Sequence, residues 1–156
     1  MASIQKPPFF SSFVGIQYVP ASPSATLFVV KVSSERGGKW GAFTANNVAD
    51  GEARTYWTPA KEEKKGGFWI ELRGLNPRSK FNVVRIEEAI WMGKRIRRHM
   101  VYVDEHVVVR NGTTVGHKRL YRIRRPVAAR RVRIRVLKSR GPPLLSALGL
   151  HFDPYG

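Results

Sequence analysis

Arginine and β-branched residues alternate through Arg131-Val132-Arg133-Ile134-Arg135-Val136. A period of two puts the arginines on one side of an extended chain and the apolar residues on the other. The pattern predicts a half-buried strand with a basic outer face. Phe68–Leu72, Phe81–Ile86, Met100–Val103, Arg119–Ile123 and Leu148–Phe152 also read as strands. Asn111-Gly112 supplies the two positive-φ residues of a type I′ turn, so Val107–Arg110 and Thr113–Val115 are predicted to form a hairpin around it. No stretch keeps a helical period, apart from a short turn expected at Val48–Asp50. Roughly eight short strands punctuated by Gly, Pro and Asn predict an all-β sandwich or barrel. Arg140-Gly141-Pro142-Pro143 reads as a rigid loop before the last strand, and no internal repeat is present.

The length of 156 residues suits one domain, or one domain with a tail. An apolar content of 42% sets the chain apart from a disordered basic tail. The absence of cysteine excludes disulfide staples, thiol nucleophiles and Cys-based zinc sites. His99, His106, His117 and His151 are scattered without metal-ligand spacing. Arg36-Gly37-Gly38-Lys39 lacks the spacing of a phosphate loop and reads as a tight turn.

The net charge is +17, and residues 94–140 hold 16 basic residues against Asp104 and Glu105. That stretch accounts for +14 of the total. Arg131, Arg133 and Arg135 share one strand face, and Arg97, Arg98, Lys118, Arg119, Arg122 and Arg124 are candidates to join them. Such a surface suits an acidic polysaccharide, an anionic lipid, the acidic flank of a catalytic barrel, or nucleic acid. Nucleic acid ranks low among these, because no RNA-stacking motif or recognition helix accompanies the charge.

Residues 1–34 contain seven serines and no acid. Phe9–Val30 is interrupted by Pro20 and Pro23, so it falls short of the ~20 apolar residues a transmembrane helix needs. Pro7 and Pro8 separate Lys6 from the apolar Phe9–Ile16, which spoils a secretory-signal pattern. Residues 1–31 are therefore expected to be an irregular leader, followed by one domain over 32–154.

Ser34-x-Arg36-Gly37-Gly38, Asn47-Val48-Ala49-Asp50-Gly51 and Thr55-Tyr56-Trp57 resemble the opening of a discoidin, or coagulation factor 5/8 type C, domain. Trp69–Leu72, Arg95-Ile96 with Met100–Val103, and Arg131–Ile134 fit its later landmarks. Three longer stretches are similar to the C-terminal domain of plant α-L-fucosidases: Phe81–Ile90, Gly112–Arg119 and Ser139–Ser146. The ending Gly149-Leu150-His151-Phe152-Asp153-Pro154 fits as well. The resemblance implies a galactose-binding-like jelly-roll β-sandwich.

In that glycoside hydrolase family the chemistry belongs to an N-terminal (β/α) barrel, and a barrel needs about 250 residues. A retaining glycosidase also needs two carboxyl groups roughly 5–5.5 Å apart. Glu71 and Glu87 sit at strand positions, Glu62-Glu63 lie in a Lys-rich loop, and no pair stands out. The resemblance thus implies a non-catalytic accessory domain, and fucosidase activity of this chain alone is not expected. Its partner would be a carbohydrate or a glycoside hydrolase catalytic domain. The family resemblance also implies secretion to the apoplast.

Sugar-binding relatives carry an Arg and an Asn in the loop that here reads Glu87-Glu88-Ala89-Ile90-Trp91-Met92-Gly93-Lys94, and both are replaced. Trp91 remains as a stacking platform for a sugar ring, or as a cap on the sandwich end. Glu88, Lys94, Arg95 and His117 are the polar candidates beside it. Many members hold a structural calcium through the loop at Asn47–Asp50 and a Glu of the last strand. Asp50 is present, but Gly149 replaces the Glu, so calcium is a candidate resting on Asp50 alone. Asp50-Gly51 reads equally well as a plain turn. Asn111-Gly112-Thr113 is an N-glycosylation sequon at the expected hairpin tip.

Overall fold

The computed structural model describes residues 28–60 and 67–155. Nearly all of the leader expected over 1–31 lies outside the described residues. Among the described residues eight strands follow in order: β1 (Val29–Val32), β2 (Phe68–Arg73), β3 (Lys80–Glu88), β4 (Ile96–Val103), β5 (His106–Gly112), β6 (Arg119–Ala128), β7 (Arg131–Ser139) and β8 (Leu145–His151). They build a five-stranded sheet, β1-β2-β7-β4-β5, and a three-stranded sheet, β6-β3-β8. All strand pairs are antiparallel. The result is the all-β sandwich that the short, evenly spaced strands predict.

Period-two patterning decides which side chains meet between the sheets. In β7, Val132, Ile134 and Val136 are buried while Arg131, Arg133 and Arg135 are half-exposed. Ile70 and Leu72 of β2 and Val101 and Val103 of β4 face the same core. The other sheet contributes Phe81, Val84, Ile86, Leu145, Leu148 and Leu150. Trp57 is fully buried although it belongs to no named strand. It exchanges two backbone hydrogen bonds with Leu145 at 2.8 and 3.0 Å, and its Nε1–H donates to the Ser34 carbonyl. The long connection between β1 and β2 is thereby fastened to β8.

Two expectations are corrected. Val29–Lys31, inside the stretch read as leader, already belong to the sandwich, because Val29–Val32 pairs in register with Arg73–Ile70. The hairpin around Asn111-Gly112 does not exist. Both residues lie within β5, and the β4–β5 turn falls at Asp104-Glu105. Asp104 takes the left-handed φ of 53°, and its carboxylate accepts the Arg130 and Arg131 backbone N–H groups. Gly112 serves close packing instead: a Cβ there would lie 2.6 Å from His99 Nε2.

The ring of His99 is fully buried and bridges the two sheets. The Thr113 carbonyl, at 2.8 Å from Nδ1, can only accept, so Nδ1 carries the proton. Nε2 is then the acceptor for the Tyr121 hydroxyl at 2.7 Å.

Candidate functional site

At the end of the sandwich where β3 finishes and β4 begins, Glu88 organises three connections. Its Oε1 accepts the backbone N–H groups of Arg95 (2.8 Å) and Ile96 (3.0 Å). Its Oε2 accepts the N–H of Gly116 (2.7 Å), and its own N–H donates to the Gly116 carbonyl. The side chain is buried. Buried backbone donors require partners, and one carboxylate here satisfies three of them. This closes the neck of the 89–94 loop and fixes the β5–β6 connection against the end of β3.

Within that loop, Ile90–Met92 form one 3₁₀ turn, and Gly93 reverses the chain at φ 97°. Ala89 is buried and donates its N–H to the Leu144 carbonyl. The turn holds Ile90, Trp91 and Met92 outward, with Trp91 49% exposed. The Trp91 ring meets Tyr56 edge-on at 6.2 Å, and Tyr56 in turn packs on Phe43 at 5.2 Å. Trp91 therefore rests on an aromatic support while part of its surface stays in solvent.

A cavity of about 440 Å³ opens beside it. Ile90, Trp91, Val48 and Ala53 supply apolar walls, and Arg54, Glu87, Ser146 and His117 supply polar ones. Glu87 faces Arg85, with Arg85 Nε and Glu87 Oε2 3.4 Å apart. Burial pulls the Arg85 guanidinium below its ordinary pKa, and the neighbouring Glu87 carboxylate opposes that shift. Arg54 and His117 are exposed at the rim. The volume falls within the range of small-ligand pockets, and the mixture of apolar wall and convergent polar groups is typical of them.

Of the expected site residues, Trp91, Glu88 and His117 meet in this cavity. Glu88 lines it, but its oxygens already serve the three backbone N–H groups. Lys94 and Arg95 are not among the lining residues. Arg95 is turned toward the β7–β8 loop, donating to the Pro142 carbonyl at 3.1 Å. Arg54, Arg85, Glu87 and Ser146 escaped the sequence reading. A charged residue amid the apolar run Phe81–Ile86 was the available signal for Arg85.

Asp50 makes a plain turn. Oδ1 accepts the Glu52 N–H at 2.8 Å, and Oδ2 accepts the Thr55 hydroxyl at 2.7 Å. Calcium takes six to eight oxygens. Both Asp50 oxygens are engaged in the turn, and Gly149 offers no side chain. No group of three or more His, Asp or Glu residues able to hold a metal occurs among the described residues. The residues present do not fit the ion.

The basic stripe is also corrected. Arg133 lies over the Trp69 ring at 4.1 Å and within 3.5 Å of Glu71. Arg73 meets the same buried carboxylate at 2.8 Å, and Arg131 pairs with Glu105. Arg119, Arg122 and Arg124 belong to β6 in the other sheet, where Arg122 pairs with Asp153. The predicted single face is thus split between two sheets and partly neutralised within the fold. Asn111 is exposed on β5, an edge strand, rather than at a hairpin tip.

No family model matches the chain. It is 35% identical over 131 residues to alpha-L-fucosidase 1 of Arabidopsis thaliana, which takes in 81% of this chain and 25% of that protein. The chain is similar to one quarter of an α-L-fucosidase. A GH29 fucosidase of Ruminococcus gnavus, solved in complex with fucose, superposes with a TM-score of 0.70 and 31% identity, covering 85% of this chain and 26% of that one. A family 32 carbohydrate-binding module of C. perfringens NanJ, in complex with galactose, covers 80% of this chain and 93% of its own at TM-score 0.65. Its identity is 16%, so it speaks for the shared sandwich alone. The fucosidase-like sandwich thus corresponds to a limited segment of long enzymes, as the family resemblance implied. Among the described residues no helix is long and apolar enough to cross a membrane.

Proposed function

We propose that this fucosidase-like domain is a non-catalytic carbohydrate-binding module, and that the cavity beside Trp91 takes a sugar. The observation that carries this reading is the half-exposed Trp91 ring, braced by Tyr56, forming one wall of a 440 Å³ cavity. A pyranose has an apolar C–H face and a polar hydroxyl edge. Trp91 and Ile90 suit the first. Arg54, Glu87, Ser146 and His117 suit the second, since charged groups make the stronger hydrogen bonds to hydroxyls. Of the carboxylates lining the cavity, Glu88 secures backbone, Glu87 faces Arg85, and Glu52 is exposed to a sugar's hydroxyls.

The test is a glycan array followed by calorimetry on the binder it identifies. Trp91→Ala should abolish measurable binding and leave the melting temperature within about 2 °C of the parent, as for an exposed site. An array with no binder among fucosylated, galactosylated and acidic plant-type glycans would overturn the reading.

A second reading is a docking module for a glycoside hydrolase barrel. It is favoured by the match of this chain to only 25% of the Arabidopsis enzyme's length. Failure of the domain to co-purify with a separately expressed fucosidase barrel would count against it.

A further inference from the structure

The ion pairs among the described residues fall on Arg73, Arg85, Arg122, Arg131 and Arg133. The corner where β4 begins and β7 ends is different. Arg98 pairs across the sheet with Lys138, and Ile96 with Ser139. The Arg140 N–H donates to the Arg95 carbonyl at 2.7 Å. These pairings gather Arg97, Arg98, Lys138 and Arg140 at one end of the sandwich. Lys94 lies beside Gly116, which is bonded to Glu88 and precedes His117 of the cavity wall, so it stands between the group and the cavity. All five are exposed, and none has a carboxylate partner among the described residues. Of the carboxylates lining the neighbouring cavity, Glu88 is buried under three backbone N–H groups, Glu87 faces Arg85, and Glu52 is exposed.

We infer that this corner is an anion-binding extension of the sugar cavity, and that its ligand is a uronate-bearing glycan. The inference rests on the carbohydrate reading of the Trp91 cavity. Like charges gathered with no carboxylate partner among the described residues repel one another and raise the local positive potential. A bound polyanion relieves that repulsion. The choice of a glycan over other polyanions comes from continuity. The cations start at Lys94, three residues from the aromatic wall, so a chain with one sugar in the cavity would pass its neighbours' carboxylates along the rim. The cations of the Arg131–Arg135 strand are a poorer candidate, because Glu105 already engages Arg131, and Glu71 and Trp69 engage Arg133.

The test measures binding of the full chain to polygalacturonate and to neutral galactan. Three variants are compared with the parent: the rim variant Arg97→Gln/Arg98→Gln/Lys138→Gln, the control Arg124→Gln/Arg125→Gln on β6, and Trp91→Ala. The substituted cations are exposed, so the variants should keep the parent's melting temperature. The rim variant should lose polygalacturonate affinity roughly tenfold, as expected for three exposed charge contacts. The control should lose almost none, and added salt should erase the difference between rim variant and parent. Unchanged affinity in the rim variant would overturn the assignment, and so would an equal loss in the control. Equally tight binding of single-stranded DNA or of phosphatidylserine vesicles at the same salt would also overturn it, in favour of a general polyanion surface. The two readings fail separately. If the rim variant alone weakens binding, the corner still binds the uronate chain but not as an extension of a sugar cavity, and the cavity reading falls. If Trp91→Ala alone weakens it, the reverse holds.

Discussion

His99 Nε2 accepts a hydrogen bond from the Tyr121 hydroxyl at 2.7 Å, joining β4 of the larger sheet to β6 of the smaller across the core. The other ring nitrogen donates to the Thr113 carbonyl, so both are satisfied without a charge. Tyr121→Phe deletes the donor and leaves Nε2 buried without its partner. The expected loss is about 1–3 kcal/mol of stability. Urea denaturation of parent and variant checks it; equal midpoints would show that the bridge contributes nothing.

Burial also depresses the pKa of His99, and it lowers that of His151 to about 3, helped by the Arg85 and Lys118 charges. An unfolded histidine titrates near 6.5. Below that pH the unfolded chain binds protons that the folded chain refuses, so acid favours unfolding. The stabilisation from His151 is complete above pH 6.5 and is lost as pH falls toward 3. The slope is about 1.4 kcal/mol per pH unit for one such residue. Denaturation midpoints measured from pH 7 to pH 5 should therefore fall. A flat profile across that window would contradict the buried, neutral state.

Gly112→Ala should destabilise the protein by about 1–3 kcal/mol, the usual cost of overpacking a filled core. The new Cβ would sit 2.6 Å from His99 Nε2, and β5 has no freedom to retreat without breaking its pairing with β4. The control is a double-mutant cycle with His99→Ala. Removing the ring should recover part of the Gly112→Ala loss, giving a coupling energy of about 0.5–3 kcal/mol. Strict additivity would mean that the glycine is needed for another reason.

Glu71 is buried on the outer face of the larger sheet between Arg73 and Arg133. Glu71→Gln keeps the shape and removes the charge that the two guanidinium groups share. A stability loss of about 1–2 kcal/mol is expected. It is reduced from the value for a fully buried pair because both arginines are partly exposed. Thermal melts should show the gap narrowing in high salt. An unchanged gap would point to lost packing instead of lost charge.

The sandwich was legible because β2, β3, β4, β7 and β8 carry long apolar or alternating runs, and period two leaves few alternatives for them. The error at Asn111-Gly112 has a physical origin. A glycine is required both by a positive φ and by a neighbour pressing on its α-carbon, and the local sequence does not distinguish the two. The neighbour, His99, is thirteen residues away in the chain. Val29–Val32 was missed for a related reason: a short apolar stretch among serines acquires its identity only by pairing with β2. In the cavity, the exposed apolar turn Ile90–Met92 drew attention to Trp91. Arg54 reaches the same space from the β1–β2 connection and Ser146 from the start of β8, which no spacing rule connects.

Glu88 joins the fold to the proposed site, so its replacement should affect both. Glutamine in its place keeps one carbonyl oxygen and substitutes an NH₂ group for the other. Whichever way the amide turns, that NH₂ faces at least one backbone N–H, from Gly116 or from Arg95 and Ile96. At least one buried donor is orphaned, at a cost of about 1–3 kcal/mol. The neck of the 89–94 loop should loosen as a result. Hydrogen exchange should then report faster amide exchange at Arg95, Ile96 and Gly116, while the β7 amides stay as protected as before. Calorimetry on the glycan chosen from the array should show weaker binding for Glu88→Gln, although no sugar contact has been removed, because Trp91 is held in place through that neck. Full retention of affinity with faster loop exchange would mean that the Trp91 wall is positioned by Tyr56 and the Leu144 hydrogen bond instead.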